Sequence, residues 1–168
     1  MHRPKNDLFI SEVHTLPNNR KSVTLSLTSS VREATLLAKL LMLISAAITF
    51  TLGAMHLLYT FSGTLLTPRD PALQIAMTQI APVITKQTTM WRCWIGFNAT
   101  HSIGLILFGL IFGYLAATHS QLLFQSWFLL LVGAATLCGY VAVSKAYFFS
   151  SPLIGISIAL ACFIAAAR

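Results

Sequence analysis

From Leu40 to Phe61 the chain contains no Asp, Glu, Lys or Arg. A hydrocarbon core about 30 Å thick is crossed by roughly 18 or more such residues as a helix. Inside lipid, only helices and closed barrels satisfy their own backbone groups. Further apolar runs cover about 91–117, 122–143 and 152–167, the last rather thin for crossing alone. Charged residues make up only 9% of the chain and the mean hydropathy is +0.76, whereas a soluble domain carries about 25% charged residues. The expected fold class is therefore all-α: a polytopic membrane four-helix bundle with up-down-up-down topology and spans at about 36–61, 91–117, 122–143 and 152–167. A chain of 168 residues has room for one such bundle and little else.

The net charge of +7 could suggest a nucleic-acid ligand, but its placement argues otherwise. Arg3, Lys5, Arg20, Lys21, Arg32 and Lys39 precede the first apolar span and Arg168 ends the last, so one side holds seven of the eleven Lys and Arg residues. The positive-inside rule then puts both termini in the cytoplasm. No aromatic residue is interleaved with the basic ones as a base-stacking platform requires, so nucleic acid is not expected as a partner. The first 30 residues hold no apolar run of signal-peptide type. Cys93, Cys138 and Cys162 lack any CxxC spacing and read as buried, inert thiols.

Residues 1–29 form a basic, cytosolic tail, and 30–168 the transmembrane domain. Val23, Leu25 and Leu27 alternate as in a strand, but a lone strand has nothing to pair with. Ser30 and Glu33 fit a capping box that would start the first helix, and Lys39 would mark the inner boundary by snorkelling. Between the first two spans, Asp70 and Pro71 fit a helix start. Leu73, Met77, Ile80 and Ile84 follow at helical spacing, which predicts a short amphipathic helix on the outer side, limited by Pro82. Trp91, Arg92 and Trp94 anchor the second span at the interface.

Two spans carry polar stripes. Ser45, Thr49, Gly53, His56 and Thr60 recur at steps of three and four in the first; Asn98, His101, Ser102 and Leu105 share a face in the second. Such faces turn inward, because unpaired polar groups are costly in hydrocarbon. Both histidines fall about 6–10 Å below the outer boundary at 1.5 Å per residue, so a shared, outward-opening pocket is expected. The candidate ligand-binding residues are His56, Thr60, Asn98, His101, Ser102, Arg92 and Lys145, the two cations standing near its mouth.

Three readings compete for the histidine pair. Each ring could bond a neighbouring helix through hydroxyls such as those of Thr136 or Tyr140. The pair could line a ligand pocket, since ionisable groups inside membranes mark functional sites. Or His56 and His101 could ligate a haem iron, while two ligands are too few for zinc. The four carboxylates, Asp7, Glu12, Glu33 and Asp70, all lie outside the spans, which excludes a carboxylate di-iron site and a membrane carboxylate proton relay. Ser102 lacks an orienting acid, so no catalytic residue is assigned. Gly109 and Gly113 form a small-xxx-small notch, and Gly104, Gly133 and Gly139 suit close helix approach as well.

GAMHLLYTF at 53–61, PRDPAL at 68–73, and MWRCWIGFNATHSIG at 90–104 together resemble a family of small, uncharacterised bacterial four-span integral membrane proteins. Its pattern is G-x-x-H-L in the first span and G-F-N-x-S/T-H-S-x-G in the second. The likeness covers about 40–165 and leaves out the tail; it implies the four-span architecture and falls on His56 and His101 without naming a chemistry. The functional expectation is a membrane protein whose histidine pocket binds a small or lipid-like ligand. The alternative is an accessory subunit or assembly factor of a larger membrane complex, docked through the basic tail on a partner or on anionic lipid. A bis-histidine haem electron carrier stands third.

Overall fold

The structure is a computed structural model that describes the backbone of residues 18–168 and the side chains from residue 26 onward. The described residues form six helices: α1 (Asn18–Phe61), α2 (Pro71–Gln79), α3 (Met90–Thr118), α4 (Ser120–Gln125), α5 (Trp127–Tyr147) and α6 (Ser150–Ala166). Three of them, α1 over Ser26–Phe61, α3 and α5, are long and apolar enough to cross a membrane. The 17 residues of α6 reach about 26 Å, short of the ~30 Å core. On α3, exposed Trp94 and Tyr114 stand about 20 residues apart, and on α5 exposed Trp127 and Tyr147 do the same. At 1.5 Å per residue each pair is separated by about 30 Å, the spacing of the two interfaces where Trp and Tyr settle. Between them Phe97, Leu107, Leu110 and Leu131 are exposed, an apolar surface that only lipid covers without penalty. The protein is an integral membrane protein.

Five local expectations are corrected, the first being burial of the cysteines, since Cys93 and Cys138 are exposed. Helix α1 already includes Asn18, so Ser30 lies in a helix interior and is not a cap, and Val23 to Leu27 are helical rather than extended. Residues 1–17 of the expected tail lie outside the described residues. The third apolar run does not begin at Leu122: Ser126 interrupts it, its hydroxyl accepting from the Leu129 amide, and α5 continues past Val143 to Tyr147. Helix α2 starts where expected, with the Asp70 carboxylate accepting from the Ala72 amide at 2.9 Å, but it ends at Gln79 and leaves Ile84 outside.

The chain divides into two units, residues 1–38 and 39–168. In the first, the described side chains up to Leu37 are exposed, and the hydroxyls of Ser29 and Thr35 donate to the carbonyls of Ser26 and Val31 in their own helix. In the second, α1 and α3 run antiparallel: Ala46 meets Gly109, Gly53 meets Ser102 and Leu105, and His56 meets Asn98. The approach is backbone-close. A Cβ at Gly53 would lie 2.8 Å from the Ser102 carbonyl oxygen, and one at Gly109 2.7 Å from that of Ala46. Buried Ser45 donates from α1 to the Ala159 carbonyl of α6 at 2.8 Å.

The two ends of this unit differ in chemistry. One end is an aromatic plug. Phe108 and Phe112 stack at 4.5 Å, and Phe163 meets Phe112 edge to face at 5.3 Å. Gly133 leaves room for the rings of Phe163 and Phe112, and Met42, Leu123 and Leu137 fill in around them. The other end is polar and holds both histidines. Gly139, by contrast, faces open space and is not a packing notch.

Gly109→Ala therefore forces α1 and α3 apart, and overpacking of this kind costs about 1–3 kcal/mol. Gly139→Ala meets nothing and regains helix propensity, so it is neutral or stabilising by up to about 1 kcal/mol. Unfolding of the two purified variants in detergent, followed by circular dichroism, separates them; equal stability of the two would contradict the close approach.

Candidate functional site

Side chains on a helix lean toward its N-terminus. Because α1 and α3 are antiparallel, His56 leans away from the Tyr59 end of its span while His101 leans toward the Trp94 end, and the two rings converge. Their centroids lie 5.4 Å apart, edge to face at 72°.

A chain of hydrogen bonds fixes one of these rings. The Trp94 indole Nε1 donates to the Leu66 carbonyl at 2.9 Å, which ties the loop after α1 to α3. The Asn98 amide Nδ2 donates to the Trp94 carbonyl at 2.8 Å. A carbonyl can only accept, so the amide orientation is set and Oδ1 must be the atom that faces His56. The 2.9 Å contact of His56 Nε2 with Asn98 Oδ1 is then a donation from Nε2–H. In the neutral ring the remaining nitrogen, Nδ1, is left as an acceptor.

His101 is placed differently. It makes ring contacts only, with His56, with Tyr140 at 5.3 Å and 80°, and with Phe148 at 6.0 Å. Among the described residues neither its nitrogens nor the Tyr140 hydroxyl has a hydrogen-bond partner. The Tyr140 oxygen rests over Gly104, where a Cβ would come within 2.7 Å of it. His101 lies seven residues inward from Trp94 and Tyr140 seven inward from Tyr147, so both sit about 10 Å below the same aromatic belt.

Of the expected site residues, His56, Asn98 and His101 come together. Thr60 and Ser102 border them with hydroxyls already used: Thr60 donates to the His56 carbonyl and Ser102 to that of Asn98, both at 2.8 Å. Ser102 is thus a satisfied packing residue. Thr136 donates to Val132 in its own helix and bonds neither histidine. Arg92 and Lys145 are exposed and make no polar contact with the cluster among the described residues. Phe148 was not visible in sequence as a site residue, because the register of α5 on α3 decides its place and no spacing encodes that.

No group of three or more His, Cys, Asp or Glu that could hold a metal is present among the described residues. For a haem, two imidazoles must face each other across a macrocycle; here they meet edge to face and His56 Nε2 is engaged by Asn98. No family model matches the chain, and no curated protein and no solved structure matches it.

Removing Asn98 leaves the His56 donor unpaired. Asn98→Ala and His56→Ala are expected to couple by about 0.6–1.7 kcal/mol in a double-mutant cycle of unfolding, the range of interhelical hydrogen bonds in membranes. Additive losses would show that the bond contributes nothing. Arg92→Ala is the surface control and stays within about 0.5 kcal/mol of wild type.

Proposed function

We propose that this chain is a four-span protein of the bacterial inner membrane, an up-down-up-down bundle with both termini cytoplasmic, whose outward-facing histidine pocket binds a small or lipid-like ligand. We take it with the family of small four-span membrane proteins that its His56 and His101 motifs resemble. One observation carries the functional part. His56 is fully oriented by Asn98, whereas His101 and Tyr140, at the same depth, keep unused hydrogen-bonding capacity in surroundings where such capacity is costly. A ligand that satisfies those groups recovers that cost on binding. The position of α6, short but packed through Phe163 and Ile156, fits a fourth span in a locally thinned bilayer.

The rival reading, an accessory subunit or assembly factor with structural histidines, is favoured by the hydroxyls of Thr49, Thr60 and Ser102, which all return to their own helix backbone and offer a ligand nothing. Docking of the basic tail on a partner or on anionic lipid belongs to that reading. Haem is third, and the edge-to-face rings speak against it.

Two measurements test this. Mass spectrometry of lipids that co-purify with the protein should show a species retained by wild type and lost in His101→Ala, while Arg92→Ala keeps it. The same bound content in wild type and both variants removes the pocket. The absorption spectrum of the sample, oxidised and reduced, is expected to be featureless; a Soret band absent from both His56→Ala and His101→Ala would install the haem reading instead. Topology is checked independently: a membrane-impermeant maleimide should label exposed Cys93 in intact cells, but not a cysteine placed at Arg168.

A further inference from the structure

We infer that the pocket takes a neutral lipid that carries a carbonyl or hydroxyl oxygen on a flat ring, the chemistry of a quinone or quinol headgroup. This rests on the pocket proposed above and names its ligand class. Depth is the first argument. The His101 backbone lies about 10 Å below the outer aromatic belt, and the Tyr140 hydroxyl, leaning toward the N-terminus of α5, reaches Gly104 still deeper, about 15 Å below it. In a core about 30 Å thick that is close to the midplane. A phospholipid headgroup stays at the surface, and dragging its charge so deep is prohibitive.

Charge is the second. Among the described residues no cation or carboxylate touches the cluster; Arg92 and Lys145 are exposed at the outer ends of α3 and α5. An ionic ligand would find no counter-charge, so the polar group must be neutral.

The hydrogen-bonding pattern is the third. His56 Nδ1 can only accept, while His101 and the Tyr140 hydroxyl can each donate or accept. A quinone oxygen only accepts and a quinol oxygen does both, and partners that switch role suit each form equally. The rings of His101, Tyr140 and Phe148 meet edge to face, and Phe148 is exposed, so an aromatic surface is available for a flat ring to pack on.

The experiment uses the full-length protein in phospholipid nanodiscs, ¹⁵N-labelled at histidine and titrated with a decyl-substituted benzoquinone. His119 is an internal control, 18 residues further along the chain from His101 and about 27 Å away. The quinone should shift the His101 resonances and leave those of His119 in place. Tyr140→Phe should weaken binding about fivefold, the value of one neutral hydrogen bond, and Gly104→Ala, which displaces the same hydroxyl, should act in the same direction. If His101 and His119 shift together, the quinone is merely partitioning and the inference falls. It falls equally if farnesol, a neutral isoprenoid alcohol without the ring, binds as tightly. If an extract of total membrane lipid moves His101 where the quinone does not, the pocket stands with another ligand. If neither moves it, pocket and ligand class fall together.

Discussion

The near-contact of the α1 and α3 backbones at Gly53 and Gly109 is the constraint on which the polar end of this protein depends. Lipid offers helices no hydrophobic reward for meeting, so close packing of small residues has to supply the attraction. Once the axes are this close, a side chain as short as Asn98 spans the gap to His56. The direction in which side chains lean on antiparallel helices then brings His101 beside it. Larger residues at either glycine would leave each polar group to find its partner along its own helix.

That alternative is visible in the same structure. Thr49, Thr60, Ser102 and Thr136 all turn back on carbonyls three or four residues earlier, the habit of hydroxyls in a medium without water. Ser45 is different, because Ala159 lies near enough to accept across the helix boundary. Interhelical polar contact is therefore sparse, and the His56–Asn98 bond has few companions. The rest of the holding power is dispersion, concentrated in the packed rings around Gly133.

Much of this was legible in the sequence, for physical reasons that also explain the failures. Membrane spans announce themselves because twenty uncharged residues have few other fates, and Asp70–Pro71 marked the start of α2 because a cap followed by proline is locally self-sufficient. Three- and four-residue spacing put Asn98 and His101 on one face without any knowledge of the neighbour. Ser30 and Glu33 misled because the same residue types occur inside helices, where nothing in their spacing reveals that the preceding turns are already helical. Ser126 was passed over since one serine inside a run of leucine and phenylalanine barely alters its hydropathy, although it restarts the helix. Tyr140 was considered only as a hydroxyl partner, and its role beside His101 depends on the sliding register of α3 against α5. Long-range register of that kind is set by the packing of many side chains and by no single pattern.

The division of labour along the membrane normal has an electrical consequence. Below His101, Phe108 and Phe112, about one turn apart on α3, pack their rings with Phe163 of α6. Rings packed this closely leave no room for water, so a voltage across the membrane falls mostly across the aromatic half. The polar half then stays near the potential of the solution at the Trp94 end. The protein is insulated like a cup with a thick base.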